Sequence, residues 1–528
     1  MARKDLFSTK TTPKSTNTRN AAGGRAYEMS AKHELAQFAV TGTFGNTFYT
    51  SGAAQLEEVK SLLDEIQDPT FLAKLAVYAR QSGYMKDMPA LILAKVAALD
   101  GGLFKSALPQ VINNSRMLLT FLQILRSGVT GRKHLSGSCH RALKRHVTTM
   151  GPGFFFNATG SAVSIQDALK IIRPKPVDEF QNALFGYIQG KEHNAELLPA
   201  FIRQYEDFKA EKTNVVPRVN FQKVSALNLK GEHWTELFKG MSWNATRMNL
   251  NTALRHGVFE DPKMVKMIAK RISDADEVKK QKVFPFSIYT AWKNTKEVPN
   301  SVRNALQDAL EAATHNIPHL GDNVVVGCDI SGSMSSTVSP MSVVTCYDVA
   351  ALFAASVLRT HQNATVIPFH QRVEGIGELN GRDSIATNAQ KIVNLPSGGT
   401  DCAEPLRYIL ENKILVDTYI VVSDNESWIN PRHPGHRYWN GTSTASGTEM
   451  MELWNKIKRK NKNARMINID ISPNTSLQSY DRDDILNIGG FSDQVFKVIA
   501  SFVGGNGSWI DEIEKTSLLG VDKERVFL

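Results

Sequence analysis

A loop rich in hydroxyl groups follows a buried strand near the middle of the chain. The loop, Asp329-Ile330-Ser331-Gly332-Ser333, comes directly after an apolar run at 323–328, which is typical of a buried strand. One carboxylate and two hydroxyls therefore belong at the carboxyl end of that strand, where open α/β sheets bind ligands. Such hard oxygen donors are the ligands that Mg²⁺ prefers. The loop predicts a metal site.

Two later loops supply further oxygen donors. Thr400 lies in Ser397-Gly398-Gly399-Thr400-Asp401 before a helical segment, and Asp424 follows an apolar run at 418–423. Because the carboxyl ends of parallel strands meet at one sheet edge, the three loops are expected to gather around one divalent ion, with Mg²⁺ as its expected identity. The candidate ligands are Asp329, Ser331, Ser333, Thr400 and Asp424. A shell with few carboxylates leaves the ion electrophilic enough to capture an acidic group from a partner.

The five positions, in this order, resemble the metal-ion-dependent adhesion site of the von Willebrand factor A domain. In that domain the first Asp and two Ser form one loop, a Thr lies in a second and an Asp in a third. The resemblance covers about 322–528 and implies an α/β doubly wound domain.

Catalysis by this site is not expected. Haloacid-dehalogenase phosphatases carry a second Asp two residues after the first, and this chain has Ser331 there. The chain also has no Walker lysine, no G-x-S-x-G motif and no H-E-x-x-H motif. The site therefore predicts binding without enzymatic activity, and a magnesium-dependent hydrolase is kept as an alternative.

The pattern of elements changes once along the 528 residues. Residues 1–26 have the composition of a disordered basic tail. Residues 27–320 carry helical periodicity almost throughout, which favours a solenoid of stacked helix pairs. In 321–528, apolar runs alternate with helical segments, which indicates a parallel sheet covered by helices. The apolar runs are 323–328, 364–369, 418–423 and 466–471.

The charge is divided between these parts. The net charge is +10 for the whole chain, about −5 for residues 321–528 and about +15 for the remainder. This segregation points to a polyanion-binding N-terminal part, although a solubility surface without a partner has the same composition.

The composition also bears on location. Four cysteines in a chain of this length do not form a disulfide framework, which indicates reduced thiols. No run of 18 apolar residues is present, so no membrane span and no membrane partner are expected. A cytoplasmic location is the resulting prediction.

The densest basic segment lies within the helical part. A helix from about Ser138 would place Arg141, Lys144 and Arg145 on one face. Such crowding of like charges is relieved by an anionic partner such as phosphate, although a solvated face is the alternative. Arg173, before Pro174, has a second interpretation as a complement to the dipole of its helix. The candidate polyanion-binding residues are Arg132, Lys133, His140, Arg141, Lys144, Arg145, Lys170, Arg173 and Lys175.

Several segments together resemble the Ro autoantigen family, particularly its bacterial members. The resemblance rests on the segments Ala36-Gln37-Phe38 with 41–49, the basic helix after Gly131-Arg132, Asp167–Pro176, Met241–Leu250 and Asp424–Trp428. In that family a TROVE module, a ring of HEAT-like helical repeats, is closed by a von Willebrand factor A domain. The resemblance therefore implies an all-α helical-repeat ring plus an α/β domain, in a monomer.

The same resemblance implies partners. Ro proteins bind small noncoding Y RNAs on the basic outer surface of the ring and the single-stranded 3′ ends of misfolded RNAs in its central hole. Bacterial members work with polynucleotide phosphorylase in RNA quality control. Arg173 lies where many members of the family have His. Arginine keeps a positive charge at this position, but it changes any contact that the histidine makes with a base. A metal-dependent protein-binding adaptor that uses its A domain remains the alternative function.

Overall fold

A computed structural model of the chain describes residues 14–20, 22–41, 52–158, 163–338, 342–427, 448–471, 476–480, 482–490, 495–505 and 509–518. Its contacts divide the chain into two units. Unit 1 comprises Met1–Glu58, Ser273–Lys296 and Asn304–Glu512, and unit 2 comprises Val59–Ile272, Glu297–Arg303 and Ile513–Leu528. The domain boundary between residues 320 and 321, which is placed where the sequence pattern changes, stays a prediction.

The N-terminal segment of unit 1 is folded where composition predicts a disordered tail up to residue 26. Strands β1 (Thr18–Arg19) and β2 (Arg25–Glu28) pair antiparallel, and helix α1 (Ala31–Thr41) follows. Tyr27 is buried and packs edge-on against Tyr480. This apolar anchoring orders a stretch whose composition alone is that of a polar tail. Residues 1–13 of the predicted tail lie outside the described ranges.

Unit 2 consists of successive helices over its described residues. Helix α2 (Gly52–Glu65) crosses into it from unit 1. The others are α3 (Pro69–Gln81), α4 (Asp87–Leu99), α5 (Gly101–Val111), α6 (Ser115–Ser127), α7 (Gly137–Thr148), α8 (Pro152–Phe156), α9 (Ile165–Ile172), α10 (Glu179–Gln189), α11 (Ala200–Lys209), α12 (Phe221–Val224), α13 (Gly231–Gly240), α14 (Trp243–Met248), α15 (Leu250–Arg255) and α16 (Pro262–Ile272). Short 3₁₀ helices occur at Ala195–Leu197 and Val258–Glu260.

These helices begin at capping side chains and pack on near neighbours in sequence. Asp68, Asp100 and Asn114 each accept hydrogen bonds from backbone N–H groups in the first turn of α3, α5 and α6, which satisfies donors that the helix leaves free. Helix α3 packs on α4 and α5, α4 on α6, and α5 on α7. Local packing of this kind is typical of helical repeats, and it confirms the predicted all-helical part.

Three helices precede the sheet: α17 (Ala275–Lys280), α18 (Pro285–Asn294) and α19 (Asn300–Ala312), followed by a 3₁₀ helix at Ala313–Asn316. Helix α18 belongs to unit 1 because it packs on α20 (Cys346–Thr360). There Lys293 pairs with Asp348, a buried residue of the α20 capping box.

The sheet of unit 1 is parallel and buried. Its strands are β3 (Val324–Asp329), β4 (Thr365–Phe369), β5 (Thr418–Ser423), β6 (Arg465–Asp470) and β8 (Ile485–Gly489), in the order β4-β3-β5-β6-β8. The short strand β7 (Ser476–Leu477) pairs with β2 instead. The helices are α20, α21 (Ile385–Val393), α22 (Glu404–Glu411), α23 (Glu449–Lys460), α24 (Val495–Val503) and α25 (Trp509–Glu514), with a 3₁₀ helix at Gly332–Ser335.

The strand order reverses at β3, which has β4 on one side and β5 on the other. This is a topological switch point of a doubly wound sheet, where ligands bind beyond the carboxyl ends of the strands. The predicted α/β doubly wound fold is therefore confirmed, and the four predicted strands coincide with β3, β4, β5 and β6. Over the described residues, no helix has the length and apolar character needed to cross a membrane.

Candidate functional site

The first predicted loop lies at the switch point. Asp329 ends β3 and is fully buried, as is Ser331. Oδ1 of Asp329 accepts a hydrogen bond of 2.8 Å from the backbone N–H of Ser331. The hydroxyls of Ser331 and Ser333 are 3.4 Å apart. The turn after β3 thus holds all three predicted side chains at one sheet edge.

The other two loops reach the same edge. The backbone N–H of Gly332 donates to the carbonyl of Gly398 at 2.9 Å, which holds the loop of the buried Thr400 against the first loop. Asp424 follows β5, the direct neighbour of β3. The side chain of Ser333 hydrogen-bonds Asp424. The structure therefore brings together the three loops that carry the five predicted ligands.

Two buried carboxylates lie close enough to interact. Burial and the negative charge of Asp424 together raise the pKa of Asp329 to about 7, against hydrogen bonds from Ser423 and Ser331 that lower it. Burial also raises the pKa of Asp424, against a hydrogen bond from Ser333. A cation between the two would favour both ionised forms. The donor set of carboxylates and hydroxyls fits a hard divalent ion.

The ligand set depends on its hydroxyl groups. In the described part of the chain, no group of three or more His, Cys, Asp or Glu side chains is placed to hold a metal ion. Asp329 and Asp424 supply only two such ligands, so any ion here needs the oxygens of Ser331, Ser333 or Thr400. The predicted ligand set therefore stays a prediction.

Further acidic side chains surround this edge, and sequence reasoning missed them. Asp470 ends β6 and is buried, and burial together with the charge of Asp424 raises its pKa. Asp401 is buried beside Arg407, and Oδ2 of Asp401 lies 2.6 Å from Nη2 of Arg407. Burial raises the pKa of Asp401 to about 6, because it outweighs the charge of Arg407, which lowers that pKa. The available signal was the position of Asp470 at the end of an apolar run, equivalent to that of Asp329.

The N-terminal segment contacts the third loop of the site. The side-chain amide of the buried Asn20 donates to the carbonyl of Ser427 at 3.0 Å. The backbone N–H of Ala22 donates to Oε2 of Glu426 at 2.8 Å. The amide of Gln37 in α1 lies 3.4 Å from Oδ2 of Asp470. These contacts join residues about 400 positions apart, which no local pattern reveals.

The predicted basic helix is present as α7. Ser136 caps its first turn, and Cys139, Leu143 and Val147 are buried on its inner face. Arg141 and Arg145 are exposed and Lys144 and His140 are half-buried, while Arg132 and Lys133 are exposed on the preceding loop. His146 belongs to the interior, because its Nε2 lies 2.7 Å from the carbonyl of Ile112.

The second basic cluster lies at the end of α9. Arg173 adopts a left-handed conformation with φ of 52° as the C-cap of this helix, and its Nε donates to the carbonyl of Lys170 at 3.3 Å. Arg173 thus does complement the helix end, and it remains exposed, as do Lys170 and Lys175. Helix α9 packs on α7 and α6, so both clusters lie on neighbouring helices. We call the nine side chains the basic surface: Arg132, Lys133, His140, Arg141, Lys144, Arg145, Lys170, Arg173 and Lys175.

Some predicted features fall outside the described residues. These are most of the segment at 41–49 and Trp428, which contribute to the resemblance to the Ro family. In the described part of the same motifs, Phe38 and Trp243 are buried, and the indole N–H of Trp243 donates to the carbonyl of Ile272 at 3.0 Å. These two aromatic residues support the fold.

Comparison with known proteins places both parts of the chain. Residues 323–438 match the family model described as the Ro60 vWA domain. The RNA-binding protein RO60 of Deinococcus radiodurans is 26% identical over 461 residues, which cover 79% of this chain and 84% of that protein. The protein of the same name from Caenorhabditis elegans is 28% identical over 224 residues, or 38% of this chain and 33% of that protein.

The fold agrees with a solved structure. The crystal structure of the Deinococcus radiodurans RO (RSR) protein aligns with a TM-score of 0.66 and 22% identity, over 90% of this chain and 100% of that chain. The matched A domain, the relatives and the shared fold together confirm that the chain resembles the Ro family, as the motifs predict, and that the resemblance extends to its bacterial members.

Proposed function

We propose that this chain is an RNA-binding protein of the Ro type. The observation that carries the proposal is the basic surface, on α7, the loop before it and the end of α9. Within the described part of the chain, no carboxylate forms an ion pair with these nine side chains. Cations that are not held in ion pairs keep their charge available to phosphate groups. Two relatives are named RNA-binding proteins, which supports the same function.

The resemblance suggests the RNA partners. We propose a Y-like small noncoding RNA on the basic surface and the single-stranded 3′ ends of misfolded RNA in the central hole of a monomeric ring. The role is RNA quality control, processing or decay in the cytoplasm, with polynucleotide phosphorylase as an exoribonuclease partner. The chain itself binds RNA without cleaving it, since Ser331 replaces the acid that a phosphatase of the haloacid-dehalogenase type needs.

The A domain has a separate role in this proposal. A divalent ion, expected to be Mg²⁺, is held by Asp329, Ser331, Ser333, Thr400 and Asp424. When bound, the ion supplies an electrophilic position for a carboxylate of a partner. The burial of Asp329 and Asp424 at the switch point favours a second candidate function, that of a metal-dependent protein-binding adaptor.

Charge reversal on α7 tests RNA binding. We would measure filter binding of a structured RNA with a single-stranded 3′ tail across a salt series. Arg141→Glu, Lys144→Glu and Arg145→Glu combined are expected to lower the affinity and flatten its salt dependence, because fewer counterions are released from the RNA.

Helix α23 offers a matched control with the same spacing and the same change of charge. Lys456, Arg459 and Lys460 are exposed on that helix. Lys456→Glu, Arg459→Glu and Lys460→Glu combined are expected to leave RNA binding nearly unchanged. Equal losses in both triple variants would mean that net charge alone governs binding. Unchanged affinity in the α7 variant would refute the RNA-binding surface and favour the adaptor.

A further inference from the structure

A cavity of about 430 Å³ opens beside the basic surface. Its walls come from α6, the loop before α7, α7 itself and the end of α9. Its size lies in the range of sites that bind small organic groups, roughly 300–1,000 Å³. The apolar part of the wall consists of Leu122, Leu125, Leu135, Leu143, Ile171 and Ile172.

Two cationic side chains and two imidazoles complete the wall. They are Arg126, Lys133, His134 and His140, and no acidic residue is among the residues that line the cavity. Lys133 and His140 also belong to the basic surface, so the cavity continues that surface inward. An occupant must therefore combine an apolar, planar or compact body with negative charge at the mouth.

The position of Lys133 is fixed by a glycine. Gly128 ends α6 with φ of +77°, and a Cβ built there would lie 3.0 Å from Cε and 3.1 Å from Cγ of Lys133. The aliphatic stem of Lys133 thus lies over the bare backbone of Gly128, at the position where Lys133 lines the cavity. Arg126, two residues before Gly128 in the last turn of α6, supplies the second permanent cation.

We propose that this cavity binds one unstacked nucleotide of a single-stranded RNA segment, at a point where that segment runs beside RNA bound on the basic surface and outside the central hole. The base would enter among the leucine and isoleucine side chains, with the imidazoles of His134 and His140 available for stacking or hydrogen bonds. Lys133 and Arg126 would bind the phosphates on either side. The inference rests on the proposed function and deepens it, because it adds recognition of a base to the phosphate contacts of the basic surface.

Removal of single bases tests the inference without any protein variant. The probe is a hairpin RNA with a short single-stranded 3′ tail of mixed sequence, prepared with one abasic nucleotide at each tail position in turn. We expect one position at which loss of the base weakens binding about tenfold. The salt dependence is expected to stay the same there, because no phosphate is lost.

A variant with a filled cavity tests whether the loss of affinity on removal of the base arises at this cavity. Leu135→Phe combined with Ile171→Phe narrows the cavity at two half-buried positions without a change of charge. This variant is expected to bind the intact RNA about as weakly as the wild type binds the sensitive abasic RNA, with no further loss on the abasic RNA. Leu254→Phe, at a partly exposed leucine on α15, is the matched control and is expected to behave as the wild type.

The outcomes separate the two proposals. If the wild type binds RNA with the expected salt dependence but tolerates every abasic position, the cavity inference is refuted and the proposed function stands. If the filled variant keeps the full abasic penalty, the base is bound elsewhere and the inference is again refuted. If the wild type binds no RNA, the proposed function fails and the inference fails with it.

Discussion

Ser423 donates a hydrogen bond of 2.5 Å to Oδ2 of Asp329. These residues end β5 and β3, so the bond joins adjacent strands at the point where the strand order reverses. The other carboxylate oxygen, Oδ1, accepts from the N–H of Ser331 at 2.8 Å. Both oxygens of Asp329 are therefore oriented by the protein itself, as hydrogen bonds from neighbouring groups orient the ligands of metal sites.

We expect Mg²⁺ to raise the melting temperature of the wild type and to leave that of Asp329→Asn unchanged. An ion bound only by the folded state adds about 2.7 kcal/mol of stability at a free concentration of 100 times its Kd, and the amide removes one of two anionic ligands. Thermal melts with and without Mg²⁺ measure the effect. Asp383→Asn, at a surface acid paired with Lys391, should retain the full shift, and a Mg²⁺-dependent shift in Asp329→Asn would contradict the assignment.

The sequence predicts the positions of site residues that lie at the ends of neighbouring strands. An apolar run followed by Asp329, and a second followed by Asp424, suffice to place both carboxylates at one edge once the strands are parallel neighbours. The same logic applies to α7, because Arg141, Lys144 and Arg145 have helical spacing. In both cases the positions of the side chains depend on local periodicity and on one rule of topology.

The sequence does not predict structure that depends on contacts between segments far apart in the chain. Strand β8 was missed because its short run Ile485-Leu486-Asn487-Ile488 contains a buried polar residue, Asn487, that bonds to Ser479 and Asn468. The N-terminal segment has the composition of a tail, and the contacts with Ser427 and Asp470 that order it span more than 400 residues. A cavity formed by three helices likewise leaves no motif in the sequence.

Gly489→Ala is expected to displace α1 from the sheet. A Cβ at this last residue of β8 would lie 1.6 Å from Cγ and 2.6 Å from Cβ of Gln37, so the helix has to move. We expect faster hydrogen exchange in residues 25–41 and a destabilisation of a few kcal/mol, as for other overpacked sites, roughly 1–3 kcal/mol.

A matched glycine separates this clash from the general effect of the substitution. Gly231 has no atom within 4 Å of a built Cβ, and it lies in the first turn of α13, so Gly231→Ala is expected to leave exchange in 25–41 unchanged. If Gly489→Ala also left the exchange of α1 unchanged, the packing of that helix on β8 would be wrong.

Two substitutions of Arg173 separate its helix-capping role from its charge. Its φ of 52° suits glycine, so Arg173→Gly is expected to be more stable than Arg173→Ala by roughly 1 kcal/mol. Both remove the guanidinium, and both are expected to weaken RNA binding to the same extent. Thermal melts and filter binding measure the two effects. Equal melting temperatures of Arg173→Gly and Arg173→Ala would contradict the left-handed conformation of residue 173. Wild-type RNA affinity in both variants would show that Arg173 does not contribute to binding at the basic surface.

The stability of the helical unit is expected to fall as the pH decreases below about 6.5, because of His146. Burial lowers the pKa of His146 from its usual 6.5, against its hydrogen bond with the carbonyl of Ile112. The unfolded chain therefore binds a proton at a pH where the folded chain does not, and protonation favours unfolding. Melting temperatures between pH 7.5 and pH 5.5 measure the slope, which should be shallower in His146→Gln. A slope that His146→Gln leaves unchanged would assign the pH dependence to other groups.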